Sequence, residues 1–142
     1  MKKSDELILN ILPKETAAEL KKKGKATPRY YESATVIFTD IVSFTKKAMA
    51  MEAEDIVKDL DHCFGAFDEI MKKHNVEKIK TMGDGYMGVG GIPTTNKTHP
   101  KDTILAALDI IDFMEEFRKD QEKRGVQPWR VRVGIHTGPL VS

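Results

Sequence analysis

Two aspartates carry the strongest chemical signal in the chain. Asp40 closes the apolar run Thr35-Val36-Ile37-Phe38-Thr39-Asp40, and Asp84 sits within Lys80-Thr81-Met82-Gly83-Asp84-Gly85-Tyr86. Each carboxylate falls where a β-branched or apolar strand meets a turn, a position from which a sheet can hold a divalent cation beside a phosphate. Hard cations such as Mg²⁺ take oxygen ligands, and one or two carboxylates suffice when substrate phosphates complete the shell. The residues after Asp40, Ile41-Val42-Ser43-Phe44-Thr45, turn toward a helical pattern whose backbone N–H groups can face an anion. An acidic strand end with an amide-lined turn, joined to a second acidic turn, points to a metal-dependent nucleotide site. Each segment also has a plainer reading. Gly83-Asp84-Gly85 is a good tight turn, and Asp40 suits the cap of the helix that follows.

Composition narrows the function classes. A chain of 142 residues fits one domain with a real core, and 40% apolar with 32% charged residues describes an ordinary soluble protein. The net charge of +1 argues against a nucleic-acid partner. Apolar runs fall far short of a membrane span and no signal peptide is visible, so a cytoplasmic location is expected. The single cysteine, Cys63, cannot form an internal disulfide and falls on an apolar helical face, as an inert buried thiol does. His62, His74, His99 and His136 lack metal-ligand spacing and read as structural or solvent-facing. Asp59, Asp61, Asp68 and Glu69 read as a solvated helix face, and Trp129 as strand packing.

The elements that must position the aspartates follow from periodicity. Residues 1–27 form a leader with an apolar patch (Leu7, Ile8, Leu9, Ile11, Leu12), a break at Pro13 and a Lys21-Lys22-Lys23 cluster. A first strand is expected from Ala34 to Thr39. Ile56, Val57, Leu60, Phe64, Phe67 and Met71 then recur at helical spacing and are expected to face a sheet. A hairpin follows, Val76 to Thr81 and Tyr86 to Gly90 around the Gly-Asp-Gly turn. A second helix is expected to bury Ile104, Leu108 and Ile111 with Ala107, Ile110, Met114 and Phe117, with Pro100 in its first turn and Gly125 past its end. A last strand spans Trp129 to Ile135. The order β-α-β-β-α-β predicts an α+β fold of ferredoxin-like type, a mixed, mainly antiparallel sheet with helices on one face. That topology hosts many functions, so it does not choose among them.

Three segments together resemble class III nucleotidyl cyclases: Phe38-Thr39-Asp40-Ile41-Val42-Ser43-Phe44-Thr45, then Glu77-Lys78-Ile79-Lys80-Thr81-Met82-Gly83-Asp84-Gly85-Tyr86-Met87, then Val133-Gly134-Ile135-His136-Thr137-Gly138-Pro139. Their order and spacing match the family, and the likeness extends over essentially Leu9 to Ser142. Leu9-Asn10-Ile11-Leu12-Pro13 is similar to the short linker that joins such catalytic domains to an upstream sensor or membrane module. The implied organisation is a leader over residues 1–27 and a catalytic domain over 28–142 that lacks its C-terminal part.

The resemblance implies roles residue by residue. Asp40 and Asp84 match the carboxylates that hold two Mg²⁺ or Mn²⁺ ions, with the Ile41 carbonyl as an added ligand. One ion activates the ribose 3′-hydroxyl and the other clamps the triphosphate. Ser43, Phe44 and Thr45 match the phosphate-binding turn, with Ser43 where many members carry glycine. Lys80 matches the base-reading position, lysine in adenylyl and glutamate in guanylyl cyclases. An ammonium only donates and adenine N1 only accepts, whereas guanine N1–H needs an acceptor. The implied protein is an adenylyl cyclase that converts ATP to cyclic AMP and pyrophosphate in intracellular signalling. It acts as a homodimer with shared sites, in the cytoplasm or on the cytoplasmic side of a membrane-anchored parent. Guanylyl cyclase, or a truncated and inactive nucleotide-binding or dimerisation module, are the alternatives. Family residues that accept from the adenine amino group, orient the ribose and stabilise transition-state charge match nothing in this chain, so residues 1–142 alone are expected to be nearly inactive.

Overall fold

The computed structural model describes residues 29–141. Its elements are β1 (Tyr30–Ile41), α1 (Phe44–Ala48), α2 (Ala53–Lys73), β2 (Val76–Met82), β3 (Gly85–Gly90), α3 (His99–Lys123) and β4 (Val131–Val141). The leader and its apolar patch lie outside the described residues. The strands form one four-stranded sheet in the order β2-β3-β1-β4, and its three ladders are antiparallel. This is the ferredoxin-like order that the element sequence predicts, with α2 and α3 packed on one face. Among the described residues no helix is long and apolar enough to cross a membrane.

Alternation along β1 sets the two faces of the sheet. Thr35, Ile37, Thr39 and Ile41 are buried, whereas Phe38, on the opposite face, is 39% exposed. Under the helices, Ile37 and Ile41 join Cys63, Phe67, Met71, Tyr86, Ile110, Met114, Phe117 and Trp129 in one core. β1 and β4 each run longer than the apolar runs suggest. They pair from Ile41↔Val131 out to Tyr30↔Val141, with an irregularity between Tyr31 and Ala34, and cross-strand hydrogen bonds hold residues of low apolar content in line.

The helices depart from the expected faces in identifiable ways. On α2, Phe67 and Met71 are buried and Leu60 and Phe64 pack against the core as expected, but Val57 is exposed, and Asp59 and Cys63 are buried as well. On α3, Ala107, Ile110, Met114 and Phe117 are buried as expected, but Ile104, Leu108 and Ile111 are roughly half exposed. On α3 apolar residues run around more than half the circumference, so the sheet selects one of two available stripes, whereas Val57 lies at the edge of the single stripe of α2. Two acids placed on the solvated face have structural partners. Asp59 is buried and accepts from Arg124 Nη2 at 3.3 Å. Asp68 accepts from the Tyr86 hydroxyl at 2.7 Å, and burial, reinforced by Asp68, pushes that phenol's pKa up. Burial likewise pushes the Cys63 thiol up to about 12, which keeps it protonated and inert.

Gly90 marks the closest approach of sheet and helix. A Cβ there would lie 2.8 Å from Thr103 Oγ1 and 3.1 Å from His99 Cβ. His99 Nδ1 lies 2.7 Å from Thr35 Oγ1, and Thr103 Oγ1 donates to the His99 carbonyl, so an added methyl pries the start of α3 from β1. Gly90→Ala is expected to lower stability by about 1–3 kcal/mol, the usual cost of overpacking. Thermal or urea unfolding checks this, and an unchanged midpoint contradicts the packing described.

Candidate functional site

β1 carries Asp40 to the end of the sheet, and the register places it opposite Arg132 on β4. Arg132 Nε donates to Asp40 Oδ1 at 2.8 Å and Nη2 to Oδ2 at 3.0 Å, a bidentate pair. Asp84 arrives from the other direction, in the two-residue turn between β2 and β3. Gly83 makes that turn at φ 56°, a left-handed conformation that glycine adopts without steric cost. Asp84 Oδ2 accepts the Ile41 N–H at 2.9 Å. The structure therefore brings both carboxylates onto the Asp40–Ile41 segment. Gly83-Asp84-Gly85 is thus a tight turn that also ties Asp84 to β1. Asp40 is a strand residue, and the N-cap of α1 is Ser43 instead.

The electrostatics of the cluster centre on Arg132. Its hydrogen bond to Asp40 and that carboxylate's charge hold the guanidinium pKa above its ordinary value, and Asp84 adds to the effect. The Arg132 side chain is 67% exposed and that of Asp40 30% exposed, so solvent screens the pair and a stronger cation can displace it. Residues Asp40, Asp84 and Ile41 offer only oxygen donors, a set that suits Mg²⁺ or Mn²⁺ and not a soft metal. Among the described residues no group of three or more His, Cys, Asp and Glu that could hold a metal forms. A cation here would complete its shell from backbone, water and substrate oxygens.

The turn after β1 is built for backbone approach. Ser43 adopts φ 53°, ψ 39°, an unusual left-handed conformation for a residue with a Cβ, and makes no side-chain cap. That conformation aims the chain into α1, whose first amides, at Phe44 and Thr45, have no intrahelical acceptor. Ser43 and Thr45 are exposed, while the Phe44 ring folds back onto Trp129.

Lys80 stands apart from this cluster. On β2 it pairs with Met87, which in turn pairs with Phe38 on β1, so β3 separates Lys80 from the strand that bears Asp40. The structure brings Asp40, Ile41 and Asp84 together with the turn at 43–45 and leaves Lys80 on another part of the sheet. Arg132 is the residue of this cluster that sequence reasoning missed. Alternation in Val131-Arg132-Val133 points it away from the helices, but its partner depends on cross-strand register.

Comparisons with known proteins place this geometry. Residues 26–142 match the family model described as adenylate and guanylate cyclase catalytic domain. The chain is 38% identical over 144 residues to guanylyl cyclase C of Cavia porcellus, covering 99% of this chain and 13% of that protein. It is 37% identical over 141 residues to an adenylate cyclase of Mycobacterium tuberculosis, covering 99% of this chain and 31% of that protein. Among solved structures it is similar to the catalytic core of a rhodopsin-guanylyl cyclase with converted specificity, in complex with ATPαS. That likeness has a TM-score of 0.74 at 32% identity and covers 81% of this chain and 62% of the solved one. The chain thus spans less than a third of these curated relatives and under two thirds of the solved core.

Proposed function

Because the chain belongs to the adenylate and guanylate cyclase catalytic domain family, we propose that it is the catalytic domain of an adenylyl cyclase, converting ATP to cyclic AMP and pyrophosphate. The observation that carries this reading is the convergence of Asp40 and Asp84 on the Asp40–Ile41 segment, beside a turn with free amides. Asp40, Asp84 and the Ile41 carbonyl would hold the divalent cations, which would supply charge that acidifies the ribose 3′-hydroxyl and offsets the triphosphate. The residues of the chain do the rest by position. Asp84 keeps one oxygen on the Ile41 amide, which holds its carboxylate toward β1. Arg132, paired with Asp40 in this structure, stands at the same end of the sheet, where its guanidinium can pair with an anionic substrate. The Phe44 and Thr45 amides donate to phosphate oxygens. The 3′-oxygen bonds to the α-phosphorus as the bond from that phosphorus to pyrophosphate breaks.

Lys80 supports adenine over guanine, because its ammonium donates and adenine N1 accepts. Its separation from Asp40 by a strand supports a homodimer in which one protomer supplies the carboxylates and the other the lysine. The sheet face without helices carries Phe38 and Met82, both exposed, as an interface face would. The guanylyl reading is favoured by relatives such as guanylyl cyclase C, at 38% identity. Substituting Lys80→Glu decides between them. ATP turnover is expected to fall by about 10²-fold or more, with a relative gain for GTP, since a site left with a mismatched buried polar group rejects the wrong base strongly. An ATP-to-GTP preference that does not move removes Lys80 from base reading.

A further inference from the structure

The turn that follows β1 is held from outside by a short segment, 128–130, that comes from the far end of the chain. Three contacts of different kinds join the two. The Val42 N–H donates to the Arg130 carbonyl at 2.8 Å, and Lys47 Nζ donates to the Pro128 carbonyl at 3.0 Å. Between them the Phe44 and Trp129 rings meet edge to face, centroids 5.6 Å apart at 73°. The segment belongs to no strand or helix, so something else must fix it.

Gln121 does so. It lies on the last turns of α3, fully buried, and its Oε1 accepts the Trp129 N–H at 2.7 Å. Trp129 is itself only 1% exposed and packs against Phe117, one helical turn before Gln121. A glutamine is an expensive choice for such a place, the more so because its Nε2 is buried without a hydrogen-bond partner, so its carbonyl must have a specific task. Here the task is to end the α3–β4 connection at one fixed height above the β1 turn. The Gln121 backbone carbonyl also accepts from Val126, which closes the same connection from its other side.

We propose that Gln121 is a positioning residue for the phosphate-binding turn: through Trp129 it sets segment 128–130 as a bracket, and the bracket sets the pose of residues 42–47. The inference rests on the nucleotide reading given above for that turn. Its consequence is that a residue on the outer helix, with no substrate contact, tunes triphosphate affinity. The strain at Ser43 gives the bracket a reason to exist, because a left-handed serine holds its conformation only where surrounding contacts enforce it.

Amide hydrogen exchange on the 142-residue chain, paired with calorimetric titration of ATP in Mn²⁺, tests this. In Gln121→Leu the Lys47 and Met49 amides, bonded to the Ser43 and Thr45 carbonyls, are expected to exchange about 10-fold faster while β2 and β3 keep their protection, the effect of losing one buried hydrogen bond. ATP affinity is expected to fall by a similar factor. Lys47→Met provides the same reading at a partly exposed position should the Leu variant unfold, and is expected to loosen the turn without loosening β2 and β3. Uniform loss of protection across the domain in both Gln121→Leu and Lys47→Met makes these residues merely structural and overturns the proposal. Selective loosening with unchanged ATP affinity overturns it too, because the turn then does not hold the phosphates. A wild-type chain with a protected turn but no uptake of ATP overturns the nucleotide reading, while exchange at Lys47 and Met49 still decides the bracket.

Discussion

In a catalytically active protein that contains this domain, Asp84→Asn is expected to cut cyclic nucleotide formation at least ~10²-fold, equivalent to about 2.7 kcal/mol of transition-state stabilisation. The asparagine is chosen because it retains an oxygen for the Ile41 N–H, the 2.9 Å contact that ties the hairpin turn to β1. Its carbonyl keeps the geometry and loses the charge. A carboxylate that served only the turn would be replaced with little effect, because a neutral acceptor bonds that amide nearly as well. Asp40→Asn is the companion, and frees Arg132 as well as removing a charge. Initial rates in Mg²⁺ and Mn²⁺, with melting curves to verify folding, check both. Near-normal turnover of either variant with its metal dependence intact contradicts the assignment of these residues.

Mixing two crippled proteins is expected to restore activity. If one protomer supplies Asp40 and Asp84 and its partner supplies Lys80, an Asp40→Ala protein retains the lysine that a Lys80→Glu protein has lost, and the reverse holds for the carboxylates. Each heterodimer then contains one intact site and one doubly damaged site. With equal amounts and random exchange, half of the dimers are mixed, so activity recovers to roughly a quarter of the unsubstituted level, at least ten times above either parent. The physical basis is the placement of Lys80 two strands from Asp40, with β3 between them. Activity no higher than the parents, with heterodimers demonstrated by mass or fluorescence, contradicts a shared site.

Residues close together in sequence were legible and residues joined across the sheet were not. The β1–turn segment and the Gly-Asp-Gly hairpin announce themselves because strand, turn and acid lie within a few positions, and both fold as the pattern predicts. The pairing of Asp40 with Arg132 joins residues 92 positions apart and depends on the β1–β4 register, which local periodicity does not encode. Ser43 is a similar case. A serine in a left-handed turn looks like any loop serine until the contacts that hold it there, from Val42 to Arg130 and Phe44 to Trp129, are in place. Helix faces failed for a different reason. Ile104, Leu108 and Ile111 follow helical spacing as well as Ile110, Met114 and Phe117 do, and only the position of the sheet decides which set is covered. Acids on a helix usually face solvent, yet Asp59 and Asp68 find partners on other elements in Arg124 and Tyr86.

An adenylyl cyclase closes the ribose 3′-oxygen of ATP onto its own α-phosphate, and chromatographic separation of the products formed by the intact protein from ATP and from GTP, each with Mn²⁺ and at equal concentration, reads that reaction out. Cyclic AMP and pyrophosphate in equal amounts from ATP, dependence on the divalent cation, and markedly less cyclic GMP are expected. Cyclic GMP as the main product would contradict the role given to Lys80, and the absence of any cyclic product with both triphosphates would contradict the cyclase reading itself.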